Sequence, residues 1–95
     1  MTSTLAPLVL PTDWDAADVP APRSLTAHVT GGLDGALRIL AMLRGRAYRV
    51  RDLDLEVREA GPSRVTCTVV LTAADLDLLL ARLRRMPAVV SAGSA

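Results

Sequence analysis

Apolar and polar residues alternate in several stretches of this chain, and between them lie stretches with helical spacing. In residues 24–30, SLTAHVT, one face carries Leu25, Ala27 and Val29 and the other is polar, which is typical of a half-buried strand. Residues 33–48 place apolar side chains at 36, 39, 40 and 43, which is the spacing of one helix face. We expect Asp34 to cap the start of this helix, and Gly45 lies near its end.

The same order of elements returns after a predicted hairpin. Residues 49–59 and 64–72 alternate again, and AGPS at 60–63 predicts the turn between them. A helix is predicted over 73–86, with Thr72 and Asp75 as a capping box, and Pro87 ends it before a short strand at 88–92. The inward-facing residues predicted for these elements are Leu53, Leu55, Val57, Val65, Cys67, Val69, Leu71, Leu76, Leu79, Leu80 and Leu83.

The predicted order is β-α-β-β-α-β, which indicates the α+β class and a ferredoxin-like two-layer sandwich. The helices should cover one face of an antiparallel sheet, and the other face should carry Thr26, His28, Thr66, Thr68 and acidic residues. Four of the six prolines precede Arg23, so residues 1–23 are predicted to form an irregular arm. This arm is either flexible or docked on a partner through Leu8, Val9, Leu10 and Trp14, and residues 24–95 form the domain.

The amino-acid composition argues against nucleic-acid binding, secretion and membrane insertion. All eleven basic residues of the 95 are Arg, the formal net charge is +1, and one Trp, one Tyr and no Phe are present. A chain with so little net positive charge and so few aromatic residues is poorly suited to non-specific binding of nucleic acid or to base stacking. No stretch resembles a signal peptide or a membrane span, so a cytoplasmic location is expected. The single Cys67 excludes an intramolecular disulfide and is expected to be a buried, inert thiol rather than a reactive one.

Three glycines in TGGLDGALRIL, residues 30–40, raise the question of a phosphate or nucleic-acid site. The pattern G-G-x-x-G is not the G-x-G-x-x-G of dinucleotide-binding loops, and a P-loop needs a Lys that the chain lacks. A G-x-x-G clamp for RNA would need a basic surround, yet its middle residues are Leu33 and Asp34. We interpret the glycines as a sharp turn whose free helix N–H groups can receive a carboxylate, such as that of an amino acid.

Residues 31–57, GGLDGALRILAMLRGRAYRVRDLDLEV, resemble the first half of an ACT domain, a family of small amino-acid-sensing domains. Gly35, Leu37, Arg44, Arg46, Tyr48 and Val50 fall near the family's characteristic positions. Ala47 stands where the family has Gly, and Arg49 stands where it has Asn. The stretch LDLLLARLRRMPAVVSA, residues 76–92, is similar to the short regulatory subunits of acetohydroxyacid (acetolactate) synthase. The resemblance covers residues 24–92.

This resemblance implies a non-catalytic regulatory subunit that binds no cofactor or metal itself. It would form a homodimer and would activate or stabilise the catalytic subunit of a thiamine-diphosphate-dependent acetolactate synthase, with a branched-chain amino acid as a possible effector. The alternative is a standalone ACT-like module that serves another enzyme. The effector-binding residues that the resemblance and the turn together suggest are Gly31, Gly32, Leu33, Asp34, Gly35 and Arg49.

The residues whose types suit catalysis or metal binding have plainer explanations. His28 faces the polar side of its strand, and no nucleophile or carboxylate is placed by the sequence to form a triad with it. Asp52, Asp54 and Glu56 share a strand face and could hold a cation, although a solvated sheet face is the more common role of such a row.

Overall fold

A four-stranded antiparallel sheet and two helices make up the computed structural model, which describes residues 19–95. The elements are β1 (Ala21–Val29), α1 (Gly32–Gly45), β2 (Arg49–Glu56), β3 (Ser63–Leu71), α2 (Ala73–Arg84) and β4 (Val89–Ser94). This confirms the predicted α+β class and the order β-α-β-β-α-β. Residues 1–18, and with them most of the predicted arm, lie outside the described range.

The strands lie in the order β2-β3-β1-β4, and all three pairings are antiparallel. β1 and β3 are therefore central, and their alternating apolar residues point to the same face because residues opposite each other in a pair share a face. Leu25 lies opposite Cys67, and Ala27 lies opposite Val65. The core predicted from β1, β3 and α2 is confirmed, and its buried members are Leu25, Ala27, Val29, Val65, Cys67, Val69, Leu71, Leu76, Leu79, Leu80 and Leu83, with Ala36, Ile39 and Leu43 from α1 and Ala92 from β4.

β1 begins three residues earlier than the sequence pattern predicted. Pro22 lies opposite Val70 of β3, and the Arg23 Nε donates to the carbonyl oxygen of Leu71 at 2.9 Å. A proline cannot donate to a ladder, but β4 pairs only with β1 from Leu25 onward. Pro22 therefore occupies a part of β1 that has a neighbouring strand on one side only, where the missing N–H costs little.

The start of α1 differs from the prediction. Gly31 is the N-cap residue in a left-handed conformation (φ 86°), and no side chain caps the helix. Asp34 is therefore a residue of the first turn and not the cap, because the glycine turn begins the helix before the chain reaches it. Its negative charge near the helix N-terminus is still favourable, since it opposes the positive end of the helix dipole.

The start of α2 follows the predicted pattern. The Thr72 side chain accepts a hydrogen bond from the backbone N–H of Asp75 at 3.0 Å. A cap of this kind is worth roughly 1 kcal/mol to a helix. The helix ends at Arg84, ahead of Pro87.

β2 is the element whose burial the pattern misjudged. Leu53 lies opposite Cys67 and so faces the helix side as predicted, yet Leu53 is 47% exposed and Cys67 is 1% exposed. Val57 lies beyond the end of the strand and is also exposed. The inner face of this edge strand is thus incompletely covered. Separately, no helix within residues 19–95 is long and apolar enough to cross a membrane.

Candidate functional site

The glycine turn between β1 and α1 is built on backbone conformations that only glycine adopts readily. Gly31 and Gly32 have φ angles of 86° and 59°. A Cβ on Gly35 would lie within van der Waals overlap of the Thr30 carbonyl oxygen, so no larger residue fits there without a backbone shift. The turn lets α1 begin directly above the end of β1, with first-turn N–H groups that have no helical partner.

A cavity of about 380 Å³ opens at this end of α1. Its lining comprises Thr30, Gly31, Asp34, Gly35, Arg38, Pro87 and Ala88. Three of the predicted effector residues, Gly31, Asp34 and Gly35, therefore line one cavity. Gly32 and Leu33 lie in the same turn without lining it, and Leu33 is 52% exposed.

Four lining residues were missed by the sequence analysis: Thr30, Arg38, Pro87 and Ala88. Arg38 lies four residues after Asp34, so the helical repeat alone could have placed both on one face. Pro87 and Ala88 arrive from the connection after α2, and the Thr30 N–H holds this connection by donating to the Ala88 carbonyl at 2.8 Å. No local signal identifies such a contact, because it depends on the topology of the whole sheet.

Arg49 does not join the glycine turn within one chain, although the sequence analysis placed both in one effector site. It begins β2 opposite Val70, which in turn lies opposite Pro22 near the start of β1. Gly31 follows the other end of β1. Arg49 instead lines a separate cavity of about 260 Å³ with Pro20, Ala47 and Tyr48 among its neighbours.

The glycine turn is instead close to the far end of β2. A Cβ built on Gly32 would have the backbone carbonyl oxygen of Arg58 as its nearest neighbour, at 3.9 Å. Arg58 lies two residues after Glu56, the last residue of β2. The turn and the acidic end of the edge strand therefore lie side by side.

An apolar cavity of about 450 Å³ separates α1 from β2. Leu40, Leu43, Val50 and Leu53 line it, together with Arg44 and Tyr48. Along the same side, Leu33 and Leu37 of α1 are about half exposed. These residues form the α1–β2 apolar face (Leu33, Leu37, Leu40, Val50 and Leu53), which adjoins the free edge of the sheet.

The open face of the sheet is rich in hydroxyl groups. The Ser24 and Thr68 hydroxyls lie 3.1 Å apart across the strands, and the Ser91 hydroxyl lies 3.3 Å from Nδ1 of His28. The sequence analysis found no nucleophile for His28, and the fold supplies Ser91 from β4. No carboxylate among residues 19–95 hydrogen bonds to this imidazole, so the pair lacks the third group that orients a catalytic histidine.

The acidic row on β2 is an exposed, partly ion-paired surface. Oε2 of Glu56 lies 3.0 Å from Nη2 of Arg58, and Oε1 of Glu56 lies 2.7 Å from Nη2 of Arg64. The hydrogen bond and charge of Arg58, with the charge of Arg64, lower the pKa of Glu56 below its usual value. Within the described residues, no group of three or more His, Cys, Asp or Glu side chains could hold a metal ion.

Cys67 is buried in the core, as predicted. Burial raises the pKa of its thiol to about 11. Since the thiolate is the reactive form, a thiol of this kind is a poor nucleophile at neutral pH.

Comparison of the chain with protein-family models and with curated proteins finds no match in either.

Proposed function

We propose that this protein is a non-catalytic regulatory subunit of the ACT type, with a ferredoxin-like fold. In this proposal it forms a homodimer through β2, binds a small amino acid at the glycine turn, and acts on the catalytic chain of a thiamine-diphosphate-dependent acetolactate synthase. The observation that carries the proposal is the glycine turn at the start of α1 beside an unpaired, apolar-flanked edge strand.

The backbone at Ala47 supports the resemblance to ACT domains. Ala47 has a φ of 59°, in the left-handed region that favours glycine. The resemblance places a family glycine at this position. The chain thus keeps the backbone conformation that a glycine would explain, although it carries an alanine.

The α1–β2 apolar face favours a second copy of this chain as its partner. Among residues 19–95, β2 has a neighbouring strand on one side only, so its outer N–H and C=O groups can extend the sheet. Val50 and Leu53 are 39% and 47% exposed beside that edge. A two-fold pairing of β2 with itself would continue the sheet and bury these side chains in one step.

The charges along β2 suit an antiparallel self-pairing. The strand reads RVRDLDLE, so its basic residues, Arg49 and Arg51, precede its acidic residues, Asp52, Asp54 and Glu56. Antiparallel pairing sets the basic start of one strand beside the acidic end of the other, whereas parallel pairing would place like charges together. β4, the other edge strand, has only six residues and no such pattern.

The same pairing would complete the candidate site. The glycine turn lies next to the acidic end of β2, as the contact between Gly32 and Arg58 indicates. An antiparallel partner strand begins at that end, so Arg49 of the partner subunit would approach the turn. The separation of Arg49 from the turn within one chain is then the expected arrangement of a site shared by two chains.

The cavity chemistry favours a zwitterion as the effector. Asp34 and Arg38 both line the cavity at the glycine turn, and neither forms an ion pair within residues 19–95. The first-turn N–H groups of α1 and the Arg38 guanidinium suit an α-carboxylate, and Asp34 suits an α-ammonium group. The volume of this cavity, about 380 Å³, is adequate for a small amino acid.

The test of the proposed function is an assay of acetolactate formation by a thiamine-diphosphate-dependent catalytic chain from the same genome. Addition of this protein should raise the rate or extend the lifetime of the activity, and valine, leucine or isoleucine should reduce the rate only when this protein is present. If the rate is unchanged and the two chains do not co-sediment, while amino-acid binding by this protein persists, the standalone ACT-like module is the correct function.

A further inference from the structure

A further groove, separate from the three cavities described above, lies on the helix side of the molecule and is apolar at its floor and basic at its rim. It lies between α1 and α2 and has a volume of about 500 Å³. The arginine–methionine groove is formed by Met42, Leu78 and Met86 together with Arg46, Arg82 and Arg85. The Leu78 side chain is apolar, yet it is 48% exposed.

The arginines of this groove have no acidic partner in the described part of the chain. The ion pairs there involve Arg58 and Arg64 with Glu56. Arg82 donates to the Tyr48 hydroxyl at 2.8 Å, which fixes its position and leaves its charge uncompensated. A groove of this composition suits an acidic segment that carries an apolar or aromatic side chain.

The chain itself contains such a segment. Residues 19–95 carry all eleven arginines and seven acidic side chains, a formal charge of +4. Residues 1–18 carry three aspartates and no basic side chain, and the stretch 12–18 reads TDWDAAD around the single Trp14. The two parts of the chain therefore have opposite charge.

The described chain starts close to this groove. Pro20 shares a cavity with Ala47 and Tyr48. Ala47 directly follows Arg46, and the Tyr48 hydroxyl contacts Arg82, so both neighbours of Pro20 adjoin groove residues. An extended chain spans about 3.3 Å per residue, so the five residue-to-residue steps from Val19 back to Trp14 allow a reach of up to about 17 Å.

We propose that the arginine–methionine groove binds residues 12–18 of its own chain, with Trp14 on the methionine floor and the aspartates facing Arg46 and Arg85. Thioether–aromatic contacts and stacking of guanidinium groups on an indole ring both favour this placement. The inference goes beyond the regulatory function proposed above and does not depend on it.

Tryptophan fluorescence of the full chain tests this directly, because Trp14 is the only tryptophan. The reference is a synthetic peptide of residues 8–19, in which the indole is free in solution. The emission of the protein should be blue-shifted from that of the peptide, and its acrylamide quenching constant should be severalfold lower. Both differences should diminish at about 1 M salt, where the Debye length is only ~3 Å.

Matched variants locate the contact. Arg46→Glu should abolish the shift, whereas Arg44→Glu should retain it, because Arg44 lies at the same end of α1 but lines the cavity on the β2 side. Asp15→Arg should also abolish the shift without altering a residue of the folded domain. Circular dichroism melting of each variant checks that the domain remains folded, and each variant should show a cooperative unfolding transition.

Three outcomes would overturn the proposal. The first is an emission spectrum equal to that of the peptide. The second is a shift that survives both Arg46→Glu and Asp15→Arg, which would place the indole elsewhere. The third is a shift that disappears on dilution, which would mean that another chain supplies the segment.

Discussion

Replacement of Ala47 by glycine should stabilise this protein, because the end of α1 has a conformation that alanine adopts with strain. The Tyr48 N–H donates to the Leu43 carbonyl at 3.0 Å and the Ala47 N–H donates to the Arg44 carbonyl at 3.0 Å. These two bonds form a Schellman motif, and Ala47 occupies its left-handed position with a φ of 59°. Glycine is the residue that this position favours.

The expected gain follows from two opposing terms. The left-handed conformation costs an L-residue roughly 1–2 kcal/mol. A glycine in place of alanine also makes the unfolded chain more flexible, which costs about 0.4–1 kcal/mol. The net gain in the free energy of unfolding is therefore about 0.5–1 kcal/mol, which corresponds to a rise in Tm of about 2–8 °C for a domain of this size.

Thermal unfolding followed by circular dichroism measures this gain. The matched control is Gly45→Ala in the last turn of the same helix, where an added Cβ meets nothing within 4 Å. The control should raise Tm slightly, since alanine is the better helix residue. A Tm of the Ala47→Gly variant equal to or below that of the unchanged protein would refute the strain argument.

Three further predictions concern the glycine turn, the edge strand and the buried thiol. Gly35→Ala should lower the free energy of unfolding by about 1–3 kcal/mol in chemical denaturation, because the new Cβ overlaps a backbone carbonyl, whereas Gly45→Ala should cause no loss. Leu53→Asp should convert the proposed dimer to a monomer in sedimentation velocity, and Val90→Asp on the opposite edge should not; the reverse result would place the interface on β4. Burial raises the pKa of the Cys67 thiol from its ordinary value of 9.0 to about 11, so the free energy of unfolding should fall as pH rises from about 9 to about 11. Cys67→Ala should lack this component of the loss, and equal pH profiles in urea titrations would contradict it.

The order and type of the elements could be predicted from periodicity alone. A period of two distinguishes the strands from the helical spacing of 36, 39, 40 and 43, and the Thr72 cap is visible because its partner lies three residues away. Both signals are local. They determine the fold class before any long-range contact is considered.

Most of the misjudged features depend on neighbours that are distant in sequence, and the start of α1 is the exception. The exposure of Leu53 follows from the edge position of β2, which an alternating pattern does not reveal. Aspartate is a common N-cap residue, which is why Asp34 was predicted as the cap. The left-handed Gly31, three residues earlier, starts the helix instead. Ala88 reaches the candidate cavity only through the complete sheet topology, and the position of Arg49 at the far end follows from the direction of β2.

The central claim is that two copies of this chain share an amino-acid site formed by the glycine turn of one and Arg49 of the other. Calorimetric titration of the dimer with valine, leucine and isoleucine measures this site. Arg49→Ala should weaken binding by about 1.5–3 kcal/mol, since a charged hydrogen bond is lost. Arg38→Ala should weaken it through loss of the carboxylate contact at the turn itself.

An equimolar mixture of the Arg49→Ala and Arg38→Ala proteins, dissociated and reassociated, is the most direct test of this claim. Random pairing makes about half of the dimers mixed, and each mixed dimer contains one intact site composed of the turn of one chain and Arg49 of the other. The mixture should therefore bind the amino acid with the affinity of the unchanged protein at about a quarter of its sites. A mixture that binds no better than either variant alone would contradict the shared site.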